Sequence, residues 1–294
     1  MRQKFPDNLI IAGHKDFGLI SQLENKILLA VGGLDRLRQD FPIMMRHIID
    51  SVVDAPRTGR RVYDELEKTE KTYIGTRVEI ELRAYLGFPK GKLDLLIDGL
   101  DVDIKHTMGD GWMIPREAID KPCILVAADE ESARCYLGLI VASMDYLTKG
   151  TNQDAKRSIS AEGFKHIRWL LEAEPYPANF WRNIPADTIQ AIFAGKSGNE
   201  RIVTLFTAIQ GMPISRDIVQ AVAKQKDYMK RLRANGGARD ILAKDSIILL
   251  SGTYHNDLIM RLGLPICTAE ESISKRLVSE NEKALARQNG FPVP

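Results

Sequence analysis

Apolar residues recur at helical spacing near the beginning of the chain. The clearest run is Ile27, Leu28, Val31, Leu34 and Leu37. Intervals of three and four residues place such side chains on one side of an α-helix. The N-terminal part of the chain is therefore predicted to be helical.

Prolines and a glycine are expected to divide this helical region, because both residue types interrupt helices. Pro42 should end the first helix, and a second helix should continue to Pro56. A third helix is predicted from Thr76 to Leu86, before Gly87.

The pattern changes at residue 92, where short apolar runs alternate with Asp-Gly, glycine-rich or acidic turns. The runs are LDLLID, DVDIKHT, PCILVAAD and ARCYLGLIVASM. Short apolar runs separated by turn residues are typical of strands. They predict a small, mostly antiparallel sheet.

Residues 147–160 have large apolar side chains only at their ends, and they are predicted to form a domain boundary or exposed linker. The expected domains are therefore 1–150 and 151–294. In the second domain the apolar pattern predicts helices near 160–173, 185–194, 199–210 and 214–233, then the strand SIILL, and a charged packing helix within 270–289.

The composition agrees with two globular domains. The chain has 294 residues, of which 44% are hydrophobic and 27% charged. It has no apolar run of membrane-spanning length and no recognisable leader, so a cytoplasmic protein is expected.

The three cysteines are scattered and should be reduced core thiols. A net charge of +2 means that any attraction to nucleic acid must come from local clusters.

The strongest chemical signal is an acidic hairpin, GKLDLLIDGLDVDIKHT. If Asp98-Gly99 forms the two-residue loop that this dipeptide favours, Asp94 lies opposite Asp103. Opposed residues have Cβ atoms about 4.5–5.5 Å apart, and two carboxylates so close repel each other unless a proton or cation lies between them. Lys105 should share this face, because strand side chains alternate.

Asp94 and Asp103 are therefore candidate ligands for Mg²⁺, which binds carboxylate oxygens together with waters and phosphate oxygens. A metal and an ammonium group suit phosphodiester hydrolysis. An aspartate followed nine residues later by D-x-K resembles the PD-(D/E)xK nuclease superfamily, although Leu93 replaces the proline. The alternative is a solvated edge hairpin, which the surrounding apolar residues argue against.

A further carboxylate could come from the helix TRVEIELRAYL. Glu79 lies nearer than Glu81 to the expected buried stripe of Val78 and Leu82, so Glu79 is the preferred third metal ligand. An ordinary solvated glutamate remains the alternative. His106 should face the other side of the strand and pack there.

The second half carries a basic block between Lys224 and Lys244, with seven cations against two aspartates and a local net charge of +5. It lies in a predicted order of helix, turn, basic helix and strand, which is that of a winged helix-turn-helix domain. A solvated basic helix is the alternative. The candidate DNA-binding residues are Gln220, Lys224, Gln225, Tyr228, Lys230, Arg231, Arg233 and Arg239.

Together the two halves resemble the NaeI family of type II restriction endonucleases, over about residues 20–265. The resemblance rests on Glu79, Asp94 and DVDIK in the first half, and on IPADTIQAIFAGKSGNERIVTLF and QKDYMKRLRANGGAR in the second. It implies a mixed α/β nuclease domain with Glu79, Asp94, Asp103 and Lys105 at a metal site, and a mainly α winged-helix domain. It also implies a homodimer that binds a second DNA duplex as effector.

The resulting hypothesis is a magnesium-dependent, sequence-specific endonuclease for double-stranded DNA. Asp94 and Asp103 would bind the metal with Glu79, and Lys105 would position the attacking water. Two rivals remain: a nicking or repair nuclease of the same superfamily, and a DNA-binding protein without catalytic activity. The recognition sequence is not readable from one chain, because it depends on docking geometry and DNA shape.

Overall fold

A computed structural model describes residues 7–109, 111–233, 236–292 and 294. The chain divides into two compact units. The first, called the N-terminal unit, comprises Met1–Val53 and Val62–Asn179, and the second, the C-terminal unit, comprises Asp54–Arg61 and Phe180–Pro294. The start MRQKFP, Ala234 and Asn235 of the predicted basic segment lie outside the described residues.

Helices occur at both ends of the chain. They are α1 (Phe17–Val31), α2 (Leu34–Val53), α3 (Ala55–Thr58), α4 (Lys68–Leu86), α5 (Ala186–Ala194), α6 (Gly198–Ala208), α7 (Arg216–Ala223), α8 (Ala238–Lys244), α9 (Asn256–Arg261) and α10 (Glu280–Gln288). None of these helices has the length and apolar character needed to cross a membrane.

Most strands lie in the middle of the sequence. They are β1 (Leu95–Ile97), β2 (Leu100–Thr107), β3 (Met113–Ile114), β4 (Pro122–Asp129), β5 (Arg134–Val141), β6 (Arg157–Ser158), β7 (Arg168–Pro175), β8 (Ile214–Ser215), β9 (Ile247–Ser251) and β10 (Glu271–Arg276). The mixed α/β composition agrees with the predicted class.

The N-terminal unit is built on a five-stranded sheet with the order β1-β2-β4-β5-β7. All its neighbouring pairs are antiparallel except β2 and β4, which confirms the predicted mostly antiparallel sheet. α1, α2 and α4 pack together and contact strands of this sheet. A further core, which includes Trp112, Leu125, Tyr136 and Phe164, packs residues of β4 and β5 against the loops that follow. The carboxylate-bearing hairpin β1-β2 therefore forms one edge of a well-packed sheet.

The predicted helical beginning is confirmed, but its break lies elsewhere. Gly32 and Gly33 have φ values of 82° and 107° and separate α1 from α2, whereas Pro42 lies inside α2. Glycine adopts these left-handed conformations without the steric cost that other residues incur. The two glycines, and not the proline, therefore end the first helix.

The division between the units differs from the predicted boundary at 150/151. Residues 168–175 form strand β7, where a helix was predicted at 160–173. This strand pairs with β5 and completes the sheet of the N-terminal unit. A Cβ on Gly138 of β5 would lie within 3.0 Å of Trp169 and Ile167, so the absence of a side chain at Gly138 allows β7 to pack there. Tertiary packing thus overrides the helix-like spacing of this segment.

The C-terminal unit combines helices α5 to α10 with a three-stranded sheet of order β8-β10-β9. The predicted helices at 185–194 and 199–210 correspond to α5 and α6. The tail predicted as one helix forms strand β10 and then helix α10.

The predicted helix at 214–233 is wrong beyond Ala223. Lys224 has a φ of 52°, and the chain then forms a short 3-10 turn, Tyr228–Leu232, instead of continuing as an α-helix. Arg201 of α6 explains the end of α7, because its guanidinium donates hydrogen bonds to the carbonyl oxygens of Val222 at 2.7 Å and Ala223 at 2.6 Å. These carbonyls are among those left without partners at the end of a helix.

The N-terminal unit also contains a buried ionic network between α2 and the β4-β5 hairpin. Arg46 donates to Glu130 at 2.7 Å and contacts Asp50 at 2.7 Å, and the Tyr176 hydroxyl donates to Glu130 at 2.6 Å. Arg46 and Glu130 are 8% and 7% exposed. The charges of Arg46 and Glu130 therefore compensate one another where solvent has little access.

Replacing Arg46 with alanine should lower the free energy of unfolding by about 3–5 kcal/mol, because it leaves the Glu130 carboxylate buried without its cation. The matched control is Arg38→Ala on the same helix, whose half-exposed guanidinium lies 3.7 Å from Glu174. The control should cost less than about 1 kcal/mol. Urea unfolding followed by tryptophan fluorescence measures both, and equal losses would contradict the assignment of a stabilising buried network.

Candidate active site

The acidic hairpin folds as its Asp-Gly dipeptide predicts. Asp98 and Gly99 have φ values of 49° and 79°, as a two-residue type I′ turn requires. The register pairs Ile97 with Leu100 and Leu95 with Val102. Continuing this register by one residue places Asp94 opposite Asp103, and the Asp94 amide donates to the Val102 carbonyl at 3.2 Å.

The carboxyl group of Asp94 acts on that of Asp103 across the hairpin and raises its pKa. Asp94 is held in place because its Oδ2 accepts a hydrogen bond from the Ile104 amide at 2.8 Å. Asp103 is only 4% exposed. Burial is the main cause that raises the pKa of Asp103 to about 7, and the neighbouring Asp94 raises it further.

Lys105 joins the two aspartates from the same strand. Its Nζ lies 2.8 Å from each carboxylate oxygen of Asp103 and donates to the Ile104 carbonyl at 2.9 Å. Burial lowers the pKa of Lys105, but the carboxylates of Asp103, Asp94 and Glu79 together outweigh burial and raise it overall. The ammonium group therefore stays charged at neutral pH.

The structure brings Glu79 into the same electrostatic environment. Burial raises the pKa of Glu79, and the charge of Asp94 raises it further, while Lys105 acts in the opposite direction. Glu81, two residues further along α4, instead pairs with Arg77. Of the two glutamates, Glu79 is therefore the one that interacts with the hairpin.

The carboxylate pair has the properties of a partial cation site. Within the described part of the chain, no group of three or more His, Cys, Asp or Glu side chains is arranged to enclose an ion. Asp103 Oδ2 is nevertheless buried, and the Lys105 ammonium lies 2.8 Å from it. Mg²⁺ is commonly held by one or two carboxylates plus waters and substrate oxygens. Asp94 and Asp103 fit that mode of binding.

Two neighbours of the site have no evident chemical role. His106 has a buried Nε2 without a hydrogen-bond partner among the described residues, and burial lowers its pKa to about 4. It is thus a packed neutral histidine, as its strand position predicts. Cys123 lies beside Asp103 in the parallel register of β2 and β4, and burial raises the pKa of its thiol. The sequence contained no signal for this neighbour, because the pairing of β2 with β4 is nonlocal.

The candidate DNA-binding residues do not share one helix face. Gln220 belongs to α7, Lys224 follows its end, Tyr228 lies in the 3-10 turn and Arg239 lies in α8. The predicted continuous basic helix is therefore replaced by two helices and an irregular connection.

These residues also differ in exposure. Arg231 donates to Gln225 at 3.4 Å and lies 3.5 Å from Asp227. Arg239 packs over the Phe291 ring, and burial lowers its pKa. Exposed cations of the block are Lys224, Lys226, Lys230, Arg233 and Lys244. The exposed face of α8, which includes Ile241 and Lys244, was missed because α8 was not predicted as a separate helix.

Comparisons with known proteins agree with the site chemistry. The sequence model of a family described as restriction endonuclease NaeI matches residues 28–287. The chain is also 36% identical, over 251 residues, to the type II restriction enzyme NaeI of Lentzea aerocolonigenes. That match covers 81% of this chain and 78% of the relative. The residues matched by the family model include the hairpin, α4 and most of the C-terminal unit. The chain therefore belongs to the NaeI family of restriction endonucleases.

Proposed function

We propose that this restriction endonuclease cleaves double-stranded DNA at a specific sequence with Mg²⁺ as cofactor, and that Asp94, Asp103, Lys105 and Glu79 form its catalytic centre. The observation that carries the proposal is the buried Asp103 carboxylate, which lies opposite Asp94 in the hairpin register and contacts Lys105. Membership in the family and the name of the relative support DNA as the substrate.

Each side chain has a separate task in this proposal. Asp94 and Asp103 would hold the metal, which when bound supplies Lewis acidity and lowers the pKa of a water. Lys105 would orient the attacking water and offset negative charge that develops on the phosphate. Glu79 would add a third carboxylate from α4. Its interaction with the hairpin is seen in the effect of Asp94, which raises the pKa of Glu79.

Asp103→Ala and Asp94→Ala should each abolish cleavage in Mg²⁺ while DNA binding is kept or strengthened. Each change removes metal coordination and a negative charge that faces the phosphates. Asp35→Ala is the matched control, since this exposed aspartate of α2 lies outside the hairpin and 3.9 Å from Arg38. The measurement is cleavage of a large unmethylated DNA followed by sequencing of the ends.

Discrete double-strand ends from the wild-type protein would support a restriction enzyme, and nicks would support a repair nuclease. Intact DNA that still shifts in a gel would support a binding protein without catalytic activity. Near-normal cleavage by the Asp103 or Asp94 variant would refute the metal assignment.

Lys105→Ala should lower the turnover number at saturating DNA much more than it weakens binding, because the ammonium acts where charge develops in the transition state. Lys92→Ala provides the comparison, since Lys92 is an exposed lysine that precedes the same hairpin. Single-turnover cleavage and equilibrium binding separate the two effects. A change in affinity alone would identify Lys105 as a phosphate anchor.

We further propose that the C-terminal unit binds DNA as a winged-helix domain. Its support is the order α6, β8, α7, α8, β9 and β10, with a sheet of order β8-β10-β9. In a helix-turn-helix the second helix enters the major groove. In this order of elements α7 is the first helix of such a pair and α8 is the second. The connection from α7 to α8 is longer than the usual three to four residues, and the exposed Lys230 and Arg233 lie in it.

The cations of this connection should set the salt dependence of DNA binding. Lys230→Ala combined with Arg233→Ala should reduce the slope of log affinity against log salt by about 1.8, if each cation neutralises one phosphate. The control pair is Lys283→Ala with Arg287→Ala on α10, which both form ion pairs with Glu280. Fluorescence anisotropy without divalent metal measures the slope for both double variants. If the two variants change the slope equally, the connection is excluded as a phosphate-binding element.

The proposal includes a homodimer whose C-terminal units hold a second copy of the recognition sequence. A nuclease domain can recognise DNA by itself, so a separate DNA-binding unit is useful if it binds another duplex. Effector DNA would then favour the catalytically competent conformation, and the coupling would be limited by its differential affinity for the two conformations.

A further inference from the structure

Asp101 is a third aspartate on the functional face of β2. It lies two residues before Asp103 and four before Lys105, so alternation along the strand places all three on one side of the sheet. Its register partner across the hairpin is Leu96. Neither the spacing of the D-x-K motif nor the family match assigns it a role.

The Asp101 carboxylate is turned toward the chain that precedes β1. Its Oδ1 accepts a hydrogen bond from the backbone amide of Leu93 at 3.2 Å. Leu93 is the residue immediately before Asp94. The bond therefore fixes the backbone next to one of the two carboxylates of the candidate metal site.

Gly91 allows this contact to form. A Cβ on Gly91 would overlap Asp101 Oδ1 and would approach the Leu95 carbonyl oxygen to 2.8 Å. The Leu96 amide also donates to the Pro89 carbonyl at 2.9 Å, which closes the segment over the strand. Residues 89–94 are thus folded tightly against β1 and β2, with the Asp101 carboxylate packed beneath them.

We propose that Asp101 is a positioning residue that orients Asp94 toward Asp103 and so sets the metal affinity of the pair. Asp94 has two other restraints: its Oδ2 accepts a hydrogen bond from the Ile104 amide at 2.8 Å, and its own amide donates to the Val102 carbonyl. The Leu93 amide held by Asp101 is the third restraint. Partners that orient metal ligands change metal affinity by about 10- to 100-fold when they are removed.

The proposal rests on the proposed metal site, so its test measures binding of Mn²⁺ alone to the full-length protein. Free Mn²⁺ is quantified by electron paramagnetic resonance, which needs neither DNA nor turnover. Asp101→Ala should weaken Mn²⁺ binding about tenfold. Asp101→Asn should remain close to wild type, because its amide oxygen accepts the same hydrogen bond from Leu93.

A double-mutant comparison shows whether Asp101 acts through Asp94. Adding Asp101→Ala to Asp94→Ala should cause no further loss, because the ligand that Asp101 orients is already absent. Gly91→Ala keeps both aspartates but displaces the segment, and it should weaken Mn²⁺ binding in the same direction as Asp101→Ala. If Asp101→Ala fails to fold, Gly91→Ala can be measured in its place.

Different outcomes would refute the positioning role of Asp101 and the proposed metal site. If Asp94→Ala weakens Mn²⁺ binding but Asp101→Ala and Gly91→Ala do not, the positioning role is refuted and the metal site stands. If Asp101→Asn is as weak as Asp101→Ala, the charge of Asp101 matters and it acts as a ligand. If the wild-type protein binds no Mn²⁺, or Asp94→Ala leaves the affinity unchanged, the proposed metal site fails and the positioning role fails with it.

Discussion

The mutual repulsion of two aspartates on one face of a tight hairpin is the constraint on which the candidate site depends. The Asp98-Gly99 turn sets the register, and the register brings Asp94 and Asp103 together. Burial makes their repulsion more costly, because a poorly solvated environment disfavours charge. Lys105 and the Ile104 amide offset part of that cost. Lys105 contacts Asp103, and the second carboxylate of the pair, Asp94, would favour a further cation in the proposed site.

The parts of this site that could be predicted from the sequence are those governed by local rules. A two-residue turn and strand alternation suffice to place Asp94, Asp103 and Lys105 on one face. The helical stripe of α4 likewise favoured Glu79 over Glu81. These inferences need no knowledge of distant residues, since each depends on backbone geometry within a few positions. The same reasoning correctly located α5 and α6, whose apolar spacing agrees with their packing.

The errors arose where distant residues decide the local structure. Ile167, Leu170 and Leu171 have a spacing that also suits a helix, but pairing with β5 makes the segment a strand. The helix α7 ends where Arg201, far away in sequence, caps its carbonyl groups. Neither contact can be recognised from a window of neighbouring residues. The domain boundary moved for the same reason, because β7 belongs to the sheet of the N-terminal unit.

Charge counting along the sequence has a similar limit in the C-terminal unit. The block from Lys224 to Lys244 contains seven cations, yet Arg231 lies within 3.5 Å of Asp227 and Arg239 packs against Phe291. A cation that is already paired or buried releases fewer counterions from DNA when it binds, because it is not free to approach a phosphate. In the proposed function, the electrostatic attraction of this unit to DNA would therefore depend on its exposed cations. A formal local charge consequently overstates the number of phosphate contacts, and the folded geometry determines how many of the seven can act.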